Sequence, residues 1–236
     1  MSVFASVVGQ LADLLQPLFG VSAAAAAIVL FTAFVRLLVH PLSRAAARGQ
    51  KARAALQPRI AEMRRKYRRQ PEKLQEAVLE LHRREKVSPL SGCLPSLLQL
   101  PAFFLMYHLF SSATIGGRDN ELLGHRLFGA PLGGRWADAL AQGGVFGGAG
   151  LVYAGLFVVV GVVAWFGFRL SRRTVGAQGV PAAGGEQVPG MEAVGKVVPF
   201  MSFFTLVTVA VVPLAAALYV VTSTAWGLVE RAVLYR

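Results

Sequence analysis

Five stretches of this chain are apolar over roughly the length a bilayer demands. About 20 helical residues, rising 1.5 Å each, cross a hydrocarbon core of about 30 Å. Residues 21–40, 93–113, 145–168, 196–212 and 213–230 meet that length or approach it. A content of 55% hydrophobic and only 15% charged residues fits the same reading. Only Pro213 separates the last two runs, which predicts a tight helical hairpin. As one unbroken helix they would run to roughly 35 residues and overshoot the bilayer. The expected fold class is therefore an all-α integral membrane protein with five transmembrane helices.

Charge orients the spans. The chain holds 24 Lys+Arg against 12 Asp+Glu, a net of +12. In a soluble protein this would suggest nucleic acid. Here 14 of the basic residues fall within 41–92, and Arg169, Arg172 and Arg173 follow the third run closely. In 114–144, Arg118, Arg126 and Arg135 are balanced by Asp119, Glu121 and Asp138. Cytoplasmic loops carry the Lys/Arg excess. Segments 41–92 and 169–195 are thus expected inside and 114–144 outside. The N-terminus is then outside and the C-terminus inside.

Between the spans the pattern is local. Residues 2–19 carry apolar side chains at 3, 4, 7, 8, 11, 14, 15 and 18, the stripe of an amphipathic helix. No basic residue precedes Arg36, so residues 1–20 are read as an extracytoplasmic interfacial helix rather than a cleaved signal. Segment 41–92 reads as a basic helical hairpin, its second helix opening at Pro71. Such a hairpin either only fixes orientation or offers a contact surface to incoming chains, ribosomes or anionic lipid. Residues 170–195, rich in Gly, Pro, Ala and Gln, have the composition of a flexible linker. The glycines of GGVFGGAG (143–150) open a span and suit close helix approach.

Several chemistries find no support. The single cysteine, Cys93, excludes an internal disulfide, and the four histidines show no metal-ligand spacing. No nucleophile–base constellation or phosphate-binding loop appears. The chain is not expected to be an enzyme, to hold a metal or cofactor, or to bind a specific nucleic acid.

One residue breaks the first span. From Val21 to Val39 everything is apolar or small except Arg36. A charge there costs about 2.5–3.5 kcal/mol on insertion scales and is by default a functional hypothesis. It lies four residues from the end of its run, roughly 6 Å in, so snorkelling to the headgroups stays open. Polar stripes on other spans favour a second reading. Ser96, Gln99, Phe103 and Tyr107 share one face of the second span, with Ser202, Thr205 and Thr208 on the fourth. Tyr219, Thr222, Ser223 and Trp226 mark the fifth, and Thr32 lies one turn before Arg36. Such stripes serve either as helix-packing contacts or as the lining of a wet, positive cavity. The first four spans contain no Asp or Glu, and Glu230 ends the fifth. A carboxylate proton relay is thereby disfavoured, and a transient anionic guest for Arg36 is favoured.

The stretch LQEAVLELHRREKVSPLSGCLPSLLQLPAFFLMYHLF (74–110) resembles the YidC-type membrane protein insertases. The family pattern is a helix ending in a basic turn, then NPL-x-GCLP-x-LLQ-x-P and an aromatic-rich span. This chain has SPLSGCLPSLLQLP, with Ser88 where the family usually has Asn and His82 where Tyr is common. The first span with Arg36 and HPLSR is also similar, as is PLAAALYVVTSTAWGLVERAVL near the end. The resemblance covers about 21–236 and looks like the short Gram-positive form. Many of those carry a lipidated N-terminal Cys, and this chain has none.

The resemblance implies insertion and folding of nascent membrane proteins in the bacterial cell membrane, with or without the Sec translocon. The implied fold is a five-helix core (21–236) whose hydrophilic groove opens to the cytoplasm and to lipid. It makes Arg36 the groove arginine and Gln99 its partner on the second span. Thr32, Ser96, Ser202, Thr205, Tyr219 and Trp226 would line the groove or the path beside it. A non-insertase assembly partner and a small transporter or channel are the rival readings. The second would need internal repeats, which the sequence does not show.

Overall fold

The structure is a computed structural model that describes residues 2–87, 104, 107–112, 114–115, 117–178 and 198–234. The described chain is mostly helical. Most of the expected second span, with Ser96 and Gln99, lies outside the described residues; its end, 107–111, is helical.

Helix α1 (Ser2–Phe19) reverses through a short 3-10 turn at Gly20–Ser22 into α2 (Ala23–Lys66). Gly20 turns the chain at φ +52°, a conformation that glycine adopts without strain. Val8 and Ala12 of α1 are buried in one core with Ala24, Ala25, Ala27 and Ile28 of α2. The small alanines let the two backbones approach closely. One face of α1 is thus packed, while Leu14 and Leu18 on the other are exposed.

Helix α2 does not stop at the expected end of the first span. It carries both Pro41 and Pro58 inside it and continues into the basic arm. The chain turns at 67–70, and α3 (Pro71–Arg84) returns along α2. Proline suits a first helical turn because that N–H has no intrahelical partner. Leu56 and Ile60 of α2 and Leu81 of α3 form a separate small core, bordered by Met63, Val78 and Val87. Arg59 pairs with Glu85, and Arg84 pairs with Glu80 at 2.9 Å. Both pairs are exposed, so the apolar contacts dominate. Truncating Leu81 to Ala should cost about 2–3 kcal/mol within this small core. The expected result is severalfold faster trypsin cleavage across the arginine-rich arms, with no change elsewhere in the digest.

Segment 114–144 is a folded cap, not a plain loop. Two antiparallel hairpins of two-residue strands depart from an all-helical architecture. They pair β1 (Thr114–Ile115) with β2 (Arg118–Asp119) and β3 (Arg126–Leu127) with β4 (Ala130–Pro131). The second turns through Phe128 and Gly129, both at positive φ, as a two-residue hairpin requires. Asn120 is buried and its amide donates to the carbonyls of Leu109 (2.8 Å) and Ser112 (3.0 Å). Helix α4 (Trp136–Gly143) sets Trp136 against the rings of Tyr153 and Phe157, 5.7 and 5.3 Å away.

Helix α5 (Gly148–Gln178) continues well into the stretch whose composition suggested a linker. No proline stands before Pro181 to stop it. Near its far end Arg169 lies over the Trp165 ring at 4.9 Å, and Arg172 over Phe168 at 5.6 Å. The fourth apolar run forms a 3-10 stretch, Val198–Phe203, and the short helix α6 (Phe204–Val211). A break at Val212 and Pro213 leads into α7 (Leu214–Leu234).

The cap seals the start of α7. Leu214 N–H donates to the Gly134 carbonyl and Ala215 N–H to that of Leu132, both at 2.9 Å. These first-turn donors have no partner inside their own helix. The Tyr153 hydroxyl also donates to Gly134. The basic hairpin and the cap therefore occupy opposite ends of the bundle.

Among the described residues, two helical stretches are long and apolar enough to cross a membrane, one within Ser6–Lys66 and one at Gly148–Arg172. Their outward faces are apolar: Leu30, Phe34, Leu37 and Leu38 on α2, and Leu151, Val158, Val162 and Phe166 on α5 are exposed. Exposed apolar faces of this extent suit a lipid surround.

Candidate functional site

Helix α7 packs along α2, and the two meet through polar side chains. Arg36 reaches across to Ser223, which is 5% exposed. Its Nε donates to the Ser223 hydroxyl at 3.0 Å, and Nη2 donates to the same oxygen. One turn further along α2, His40 Nδ1 lies 2.7 Å from Glu230 Oε1. The Glu230 side chain is 11% exposed. On α7, Tyr219, Ser223, Trp226 and Glu230 recur at helical spacing and so share one face. Tyr219 is buried with its ring 6.3 Å from that of Phe110. The buried Trp226 indole N–H has no hydrogen-bond partner among the described residues.

Magnitudes say what this seam leaves undone. Interhelical hydrogen bonds in membranes average about 0.6 kcal/mol. Two of them offset about 1.2 kcal/mol, less than the 2.5–3.5 kcal/mol that a central arginine costs. Glu230 and Tyr219 lie within electrostatic reach of Arg36, but the nearer contact of that carboxylate is His40. Water or an anionic group would complete the balance.

The residues singled out by sequence divide into three groups. Arg36, Tyr219 and Trp226 belong to the seam. Thr32 is 2% exposed and bonds its own helix through the Ile28 carbonyl at 2.7 Å. Ser202 stands apart near α5: a Cβ at Gly167 would meet its hydroxyl at 3.2 Å and Leu228 at 3.4 Å. Thr205 is half-buried on α6. Ser96 and Gln99 lie outside the described residues. Sequence reasoning placed Ser223 in a polar stripe without pairing it to Arg36. It missed the link between His40 and Glu230; the available signals were the i, i+4 spacing of Arg36 and His40 and the position of Glu230 two turns after Ser223. An apolar cavity of about 540 Å³ lies between the cap and α5, lined by Leu127, Phe128, Leu151, Gly155 and Leu214. None of the seam residues lines it.

Helices with outward apolar faces around a polar seam define a helical membrane protein. The chain matches the family model described as 60Kd inner membrane protein over residues 14–236. It therefore belongs to that family, the YidC-type insertases. It is 38% identical over 113 residues to the membrane protein insertase YidC of Clostridium perfringens, covering 48% of this chain and 47% of that protein. It is 40% identical over 86 residues to that of Chloroherpeton thalassium and 38% over 86 to that of Polynucleobacter asymbioticus. Each of these two matches covers 36% of this chain and 15% of the relative. The matched regions thus span about half of the first relative's length and far less of the other two.

Proposed function

We propose that this protein inserts and helps to fold integral membrane proteins in a bacterial cell membrane. The observation that carries the reading is Arg36, the one charge in an otherwise apolar run, held by Ser223 between two helices. In this reading the five apolar runs span the membrane, the basic hairpin is cytoplasmic and the cap is extracytoplasmic. Gln99 and Ser96, outside the described residues, are assigned to the same groove by the family resemblance, with Tyr219 and Trp226 as further lining and Thr32, Ser202 and Thr205 beside it. The hairpin meets a nascent segment and anionic headgroups. The Arg36 field attracts acidic residues of its tail, and partition of the apolar segment into lipid drives transfer. No covalent bond is made or broken. The Sec translocon and the ribosome are candidate partners rather than requirements.

Reconstituted liposomes test the reading. A single-span client with a short acidic outer tail, offered to wild-type protein, should become protease-protected severalfold more than with empty liposomes. Equal protection in both would overturn it.

A further inference from the structure

Arg36 and Glu230 share one seam, yet they do not pair. The guanidinium takes the Ser223 hydroxyl, while the carboxylate takes His40. This inverts the ordinary preference. A guanidinium and a carboxylate attract as opposite charges and can bond bidentately, which a neutral hydroxyl cannot offer. Glu230 has little access to water, being 11% exposed, so hydration does not explain its choice. Among the described residues the hydrogen-bond partner of Glu230 is the His40 ring nitrogen, at 2.7 Å. An Nδ1–H donates to a carboxylate in the imidazolium or in the matching neutral tautomer. The other charged groups nearby are Arg231, next to Glu230 in sequence, and Arg44, one turn beyond His40 on an exposed face.

We propose that His40 is a positioning residue: it holds the Glu230 carboxylate off Arg36 and so keeps the guanidinium available to an acidic group of an incoming chain. Glu230 is then an internal competitor of the same chemistry as the guest. Once released, it would neutralise Arg36 from within. The proposal rests on the insertase reading for the nature of the guest, and its test does not depend on insertion.

The test is equilibrium binding of two labelled peptides to the full-length protein in nanodiscs. Both carry the same apolar segment; one tail bears two aspartates and the other two asparagines. Wild type should prefer the aspartate peptide. H40L should lose that preference, weakening aspartate-peptide binding about tenfold, the scale of about 1.4 kcal/mol. H40Q, whose amide can still donate to the carboxylate, should keep it. H40L/E230Q, with the competitor neutralised, should regain it. The proposal is overturned if H40L retains the preference, or if wild type shows none. It is also overturned if H40L weakens both peptides alike without rescue by E230Q, which would make His40 a packing residue. Preferential binding without insertion in liposomes would instead sink the insertase reading and leave this one standing.

Discussion

Alanine in place of Arg36 is expected to reduce insertion of an acidic-tailed client at least tenfold, whereas lysine retains most of the activity. A hydrogen bond to a charged group contributes about 1.5–3 kcal/mol, and 1.4 kcal/mol is a factor of ten. Lysine keeps the charge and one donor direction but lacks the fork that gives Ser223 two donors. Loss of fold is a poor rival explanation for the alanine result. Removing a charge from hydrocarbon saves about 2.5–3.5 kcal/mol, against about 1–3 kcal/mol for the orphaned Ser223 hydroxyl. Thermal stability of the two variants, measured beside protease protection, should therefore stay near wild type. Equal insertion by all three proteins would make Arg36 an anchor and leave the activity to the hairpin.

A second large effect is expected at the opposite end. Leu132 is 0% exposed, and its carbonyl receives the Ala215 N–H. Leu132→Ala should destabilise the cap by about 2–5 kcal/mol through lost burial and the cavity left behind. Amide exchange at Leu214 and Ala215 should then accelerate by a factor on the order of 30 for about 2 kcal/mol of local opening. Phe128→Ser, at a turn position 78% exposed, should leave those amides unchanged. If exchange at these amides were unaffected in Leu132→Ala, the first turn of α7 would not depend on the cap.

Which features were legible follows from the range of the interactions that make them. The start of α3 at Pro71 and the break before α7 at Pro213 are local backbone effects, and the sequence displays both. Arg36 stood out because its neighbours are uniformly apolar. The sequence divides the first span from the basic hairpin, and it did not show that one helix, α2, runs through Pro41 to join them. A proline removes one backbone donor, and a long helix held by contacts on both sides absorbs that loss. The cap was illegible because its strands are only two residues long and part of its bonding is to donors at the start of α7, eighty residues further on. The His40–Glu230 pair joins residues 190 positions apart, and Glu230 taken alone looks like an ordinary span terminus.

The continuity of α2 has a mechanical consequence. About 37.5 Å of the helix extends beyond Pro41 toward the hairpin tip, while Arg36 sits about 7.5 Å on the other side of that proline. One unbroken helix therefore carries both the basic arm and the guanidinium, so the arm and the seam are mechanically continuous.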